Sequence, residues 1–93
     1  MWSSEHARAL VVEDNAETRA WLVSCVNSAF PELQVVDAAN LASAMELVST
    51  GQFDLALVDL GLPDGSGMDV VRALPQASGA CYVVVATIYD DDK

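Results

Sequence analysis

Leu55-Ala56-Leu57-Val58 is a short apolar run that stops at Asp59 and opens into Leu60-Gly61-Leu62-Pro63-Asp64-Gly65-Ser66-Gly67. A run of this length with no polar alternation reads as a strand buried on both faces, the kind a parallel sheet places at its centre. An open α/β sheet presents reactive groups where such strands end, at its carboxyl edge. An earlier run, Ala9-Leu10-Val11-Val12, ends the same way at Glu13-Asp14. Two strands delivering carboxylates to one edge suggest a cation site.

The segments between the apolar runs read as helices. Asn15 is a good N-cap, and Leu22, Cys25, Val26 and Ala29 recur at helical spacing until Phe30-Pro31 closes the pattern. Leu33 to Asp37 reads as a second strand. Asn40 caps a second helix, with Leu41, Ala44, Met45 and Val48 facing inward and Gly51 as its stop. Ser66 with Asp69 resembles a capping box for a third helix, with Val70, Val71 and Leu74 inside and Pro75 as its end. Cys81 to Ala86 is a strongly apolar fourth strand, with Thr87 at its end and Asp90-Asp91-Asp92 beyond. Four strands alternating with three helices predict a doubly wound parallel sheet with helices on both faces.

Composition narrows the function. Fourteen acidic residues against 4 Lys or Arg give a formal charge of -10, a poor match to nucleic-acid phosphates or to anionic lipid. No apolar run approaches the ~20 residues of a membrane span, and no secretory leader is evident. Cys25 and Cys81 read as small core hydrophobes rather than a disulfide, so the expected compartment is the cytosol. His6 reads as a surface residue.

Carboxylates from Glu13, Asp14 and Asp59 crowded at one sheet edge need a proton or a cation at neutral pH. Hard oxygen ligands favour Mg2+, and the Gly61 carbonyl is the natural ligand from the following loop. A carboxylate can accept a phosphoryl group, so Asp59 is the candidate acceptor. Thr87 could hydrogen-bond a phosphoryl oxygen, and the amides around Ser66 and Gly67 lie on the side that favours an anion. Each element alone has a plainer reading. The acidic pair is then a solvated turn before a helix, Thr87 a strand-end hydroxyl, and Asp90 to Asp92 a solvated loop. Gly65-Ser66-Gly67 lacks the spacing of a nucleotide-binding loop. The joint occurrence at three strand ends gives the reading its force.

Taken together, Leu10-Val11-Val12-Glu13-Asp14, Leu57 to Gly67 and Val84-Val85-Ala86-Thr87 resemble the receiver domain of two-component response regulators, over nearly the whole chain from Ala7. The resemblance implies a flavodoxin-like fold and phosphoryl transfer from a histidine kinase or phosphotransfer protein to Asp59. It implies Mg2+ held by Asp14, Asp59 and the Gly61 carbonyl, Glu13 acting through water, and Thr87 shifting toward the phosphate. The wording around Asp59 and in the tail is most like receivers of helix-turn-helix transcription regulators.

Against the family's pattern the chain holds sequence for about three and a half β-α units. Residues 1–93 are therefore expected to form a truncated receiver. Residues 1–6 would be a flexible leader, and the fourth helix, fifth strand and fifth helix would be absent. Lys93 and Tyr89 sit on the wrong segment to be the family's lysine and switch aromatic. The family's strand order would make the fourth strand an apolar edge, so self-association or a domain-swapped dimer through it is expected. Two other readings stand beside this one. A Mg2+-dependent phosphohydrolase with Asp59 as nucleophile would need a second acid on the same loop, and Asp64 is poorly spaced for that. A non-phosphorylated interaction module would keep the fold as a scaffold.

Overall fold

The computed structural model describes residues 7–86. The expectations for the leader, His6, Thr87, Tyr89, Asp90 to Asp92 and Lys93 lie outside the described residues. Along the chain run β1 (Arg8–Val12), α1 (Ala16–Ala29), β2 (Gln34–Ala38), α2 (Leu41–Thr50), β3 (Leu55–Val58), β4 (Gly61–Leu62), β5 (Gly65–Ser66), α3 (Met68–Ser78) and β6 (Tyr82–Val85). The expected fourth strand is β6. The loop after Asp59 also holds a small antiparallel hairpin, β4 with β5.

The main sheet is parallel, in the order β2-β1-β3-β6. Its alternation explains the layers. Leu10, Val12, Ala56 and Val58 point to one face, where they meet Ala44 and Val48 of α2 and Val70 and Leu74 of α3. Ala9, Val11 and Leu55 point to the other, against Leu22 and Val26 of α1. Side chains as fully buried as Leu10 and Leu74 contribute about 1.5–3 kcal/mol each by leaving water.

The strand register determines which residues meet at the carboxyl edge. Val12 pairs with Ala38 on one side and Val58 on the other, and Val58 pairs with Val85. Glu13, Asp59 and Ala86 therefore leave the sheet at one level.

Three local expectations are corrected. Cys25 and Ala29 are exposed rather than inward. Helix α1 meets the sheet through a narrow stripe centred on Leu22 and Val26, and these two positions fall on its flanks. The Ser66–Asp69 capping box does not form. Gly67 is the N-cap, Ser66 Oγ accepts from the Met68 N–H at 3.1 Å, and Asp69 pairs with Arg72 at 3.4 Å. Helix α3 also passes through Pro75 and ends at Ser78, where Gly79 adopts φ 71°. The proline removes one helical hydrogen bond, and the burial of Val70 and Leu74 outweighs it.

Among the described residues β6 has a strand neighbour on one side, and Tyr82 is 72% exposed and Val84 49%. This is the apolar edge expected from the sequence. No helix of the described residues is long and apolar enough to cross a membrane.

Candidate metal centre at the carboxyl edge of the sheet

The ladder continues one residue past β1 and β3. The Glu13 N–H donates to the Ala38 carbonyl at 3.0 Å, and the Asp59 N–H to the Val12 carbonyl at 2.9 Å. Both acidic residues thus start from backbone fixed by the sheet. Glu13, Asp14 and Asp59 each offer a carboxylate oxygen, and the three oxygens lie within 4.8 Å of one another. Glu13 is 5% exposed, Asp59 half-buried and Asp14 exposed.

Burial holds the Glu13 carboxyl above its ordinary range, and the charges of Asp59 and Asp14 push the same way. The Asn15 N–H, donating to Glu13 Oε2 at 3.0 Å, partly offsets them. Two unit charges no more than 4.8 Å apart repel by roughly 3 kcal/mol or more at an effective dielectric near 20. A hard divalent cation relieves that repulsion, and the oxygen-only donor set suits one. The residues therefore fit the cation that the sequence implied.

The neighbouring loop is built around Asp59. The Gly61 N–H donates to Asp59 Oδ1 at 3.1 Å, and the Gly67 N–H to the Leu60 carbonyl at 2.9 Å. The Gly67 and Met68 amides, expected to face an anion, are thus engaged within this loop. Gly67 lies so close to the Asp59 backbone that a Cβ there would overlap the Asp59 carbonyl oxygen. Ala86, at the end of the described chain, donates its N–H to the Val58 carbonyl at 2.9 Å, which brings β6 to the same edge.

Arg19 was missed from the sequence, and Asp64, weighed there only as a second acid, has a different role. Arg19 Nη1 donates to the Glu13 carbonyl at 2.9 Å and the Asp14 carbonyl at 3.5 Å, while its Nε lies 3.4 Å from Asp37. It ties the acidic turn to β2. A cation near a helix N-terminus opposes the helix dipole, and that misfit was the available signal. Asp64 accepts from the Leu41 and Ala42 amides at 2.7 and 3.0 Å, and these bonds hold its carboxyl below the usual range. Both of its carboxylate oxygens are thus engaged by the start of α2.

The response regulator receiver domain, as a family model, matches residues 9–93. The chain belongs to this family. It is 35% identical over 82 residues to response regulator protein PilR of Pseudomonas aeruginosa, covering 88% of this chain and 18% of the relative. It is 33% identical over 87 residues to the DNA-binding transcriptional activator DevR/DosR of Mycobacterium tuberculosis, covering 92% and 40%. The receiver thus spans less than half of either relative. A Burkholderia pseudomallei response regulator with a phosphorylated aspartic acid, calcium ion and citrate superposes with TM-score 0.78 at 24% identity, over 92% of this chain and 49% of that one. A chain from the crystal structure of histidine kinase ThkA in complex with response regulator protein TrrA superposes with TM-score 0.74 at 23% identity, over 94% of this chain and 73% of that one. These likenesses establish the receiver fold: a flavodoxin-like parallel sheet of four strands with three helices among the described residues. Receivers are signalling domains of two-component systems, and some relatives of this one regulate transcription.

Proposed function

We propose that Asp59 accepts a phosphoryl group from the phosphohistidine of a histidine kinase or phosphotransfer protein. An Asp59 carboxylate oxygen forms the new P–O bond as the donor's P–N bond breaks, and the leaving imidazole nitrogen takes up a proton. Asp14, Asp59 and the Gly61 carbonyl would hold Mg2+, with Glu13 acting through water. The ion would supply charge neutralisation at the phosphoryl oxygens. Thr87 is proposed to hydrogen-bond the phosphoryl group.

The observation that carries this reading is the gathering of three carboxylates within 4.8 Å at one sheet edge, one of them at the end of β3. The kinase partner is supported by the likeness to a response regulator captured with a histidine kinase. Control of transcription through an output domain is supported by the relative that is a DNA-binding activator. We further propose a cytoplasmic location, in keeping with the free thiols of Cys25 and Cys81. The exposed edge of β6 favours self-association.

Calorimetric titration with Mg2+ tests the cation site. Saturable binding is expected in the wild type, with a loss of about tenfold or more in Asp14→Asn, at least the scale of removing a group that supports a ligand. Equal binding by both proteins would remove Asp14 from the site.

A further inference from the structure

The loop after Asp59 carries the proposed Gly61 ligand, and its own ladder is too short to hold it. Strands β4 and β5 have two residues each, and isolated hairpins even of normal length are marginal in water. The base is fixed by the Gly61 and Gly67 amides, which donate to Asp59 Oδ1 and the Leu60 carbonyl. The tip is fixed elsewhere. Asp64, at the turn, reaches back to a helix 22 and 23 residues earlier in sequence and accepts from the Leu41 and Ala42 amides.

Helix α2 already has an N-cap. Asn40 Oδ1 accepts from the Ser43 N–H at 2.8 Å. Asn40 and Asp64 therefore divide the first-turn donors, Asn40 taking the third and Asp64 the first two. The two caps differ in one respect: Asp64, unlike Asn40, joins α2 to the metal loop. Gly65 adds to the junction, since a Cβ there would meet the Leu41 side chain.

From this geometry we infer that Asp64 is a positioning residue for the cation site, latching the β4–β5 hairpin to the start of α2 and so fixing where Gly61 sits. The inference rests on the reading of Glu13, Asp14 and Asp59 as a cation site. Without the latch, the hairpin must be ordered when the ion binds, and that entropy is lost from affinity. The expected loss is about tenfold, the scale of ordering one residue's backbone.

The test compares the wild type with Asp64→Ala, Asp64→Asn and Asn40→Ala. Two quantities are read: Mg2+ affinity by calorimetry, and amide hydrogen exchange of residues 60–67 in the metal-free protein. Asp64→Ala should bind Mg2+ about tenfold more weakly, with faster exchange across the hairpin. Asp64→Asn should fall between it and the wild type, because the carboxamide oxygen still accepts from one amide. Asn40→Ala should lower the unfolding midpoint as another lost cap does, yet leave Mg2+ affinity and hairpin exchange near wild type. Equal losses of affinity in Asp64→Ala and Asn40→Ala would reduce Asp64 to a helix cap and overturn the inference. So would wild-type affinity in Asp64→Ala. Equal effects of Ala and Asn would also overturn it, pointing to lost charge instead of lost bonds. If the wild type binds no Mg2+, the cation reading falls, and exchange alone judges the latch. Hairpin amides no faster in Asp64→Ala than in Asn40→Ala would then overturn it.

Discussion

Replacing Gly67 by alanine adds one methyl group in the most confined part of the site. Two effects oppose each other. Gly67 has φ -61° and ψ -16°, a helical conformation that alanine adopts readily. Restricting the unfolded chain would then stabilise the protein by about 0.4–1 kcal/mol. Against this, the new Cβ would overlap the Asp59 carbonyl oxygen and lie 2.9 Å from Val58 Cγ1. The first obstacle is backbone at the end of a central strand, which cannot rotate away as a flexible side chain would. Overpacking costs about 1–3 kcal/mol, toward the upper end when backbone must move. The net expectation is destabilisation of about 1–2 kcal/mol. In a domain this small that lowers the thermal midpoint by roughly 4–15 °C. Urea unfolding followed by circular dichroism gives the free energy. The companion variant Gly61→Ala should be as stable as wild type or up to about 1 kcal/mol more stable, because nothing stands within 4 Å of its Cβ and its φ is not positive. A Gly67→Ala protein as stable as wild type, or more so, would show that the Asp59 backbone leaves room for a Cβ at position 67.

Three further outcomes are expected. Burial and the neighbouring acids raise Glu13 above its ordinary 4.5, so the folded protein keeps a proton that the unfolded chain has released. Metal-free stability should therefore fall as pH rises from about 4.5 through the raised value and then level off. Glu13→Gln should remove that component, so it should be more stable than wild type at neutral pH, with the gap closing in acid or on adding Mg2+; a gap independent of pH would contradict this. Cys25 is exposed, whereas burial and the charge of Asp54 raise the half-buried Cys81 thiol. A thiol-specific reagent should label one cysteine fast and one slowly in the native protein, and two equal rates would count against the packing of β6. Val84→Lys places a charge on the exposed edge of β6 and should shift sedimentation toward smaller species at tens of micromolar, while an unchanged distribution would exclude that edge from self-association.

The sheet was legible because its strands are short, apolar and ended by polar residues. Leu55–Val58 needed no adjustment, and β1 moved by a single residue. The acidic cluster was legible for a related reason. In a parallel sheet with flush register, residues that end neighbouring strands become neighbours in space, so Glu13 and Asp59 could be placed together from sequence. What escaped depends on contacts between distant elements. Arg19 is an ordinary helix residue until its reach to Asp37 is seen. Asp64 is an ordinary turn residue until α2 comes alongside. Cys25 shares the spacing of Leu22 and Val26, and only the narrowness of the α1 contact leaves it outside. Ser66 and Asp69 have the right spacing for a capping box, but Ser66 is already paired in β5, so Gly67 becomes the cap.

Asp59 is the proposed phosphoacceptor. The direct measurement is to incubate the protein with acetyl phosphate and Mg2+, trap any acyl phosphate by borohydride reduction, and map the modified residue by tandem mass spectrometry. The reduction converts an aspartyl phosphate to homoserine. Homoserine at position 59, dependent on Mg2+ and absent in Asp59→Asn, is the expected result. Modification at another carboxylate, or labelling that survives Asp59→Asn, would contradict the account.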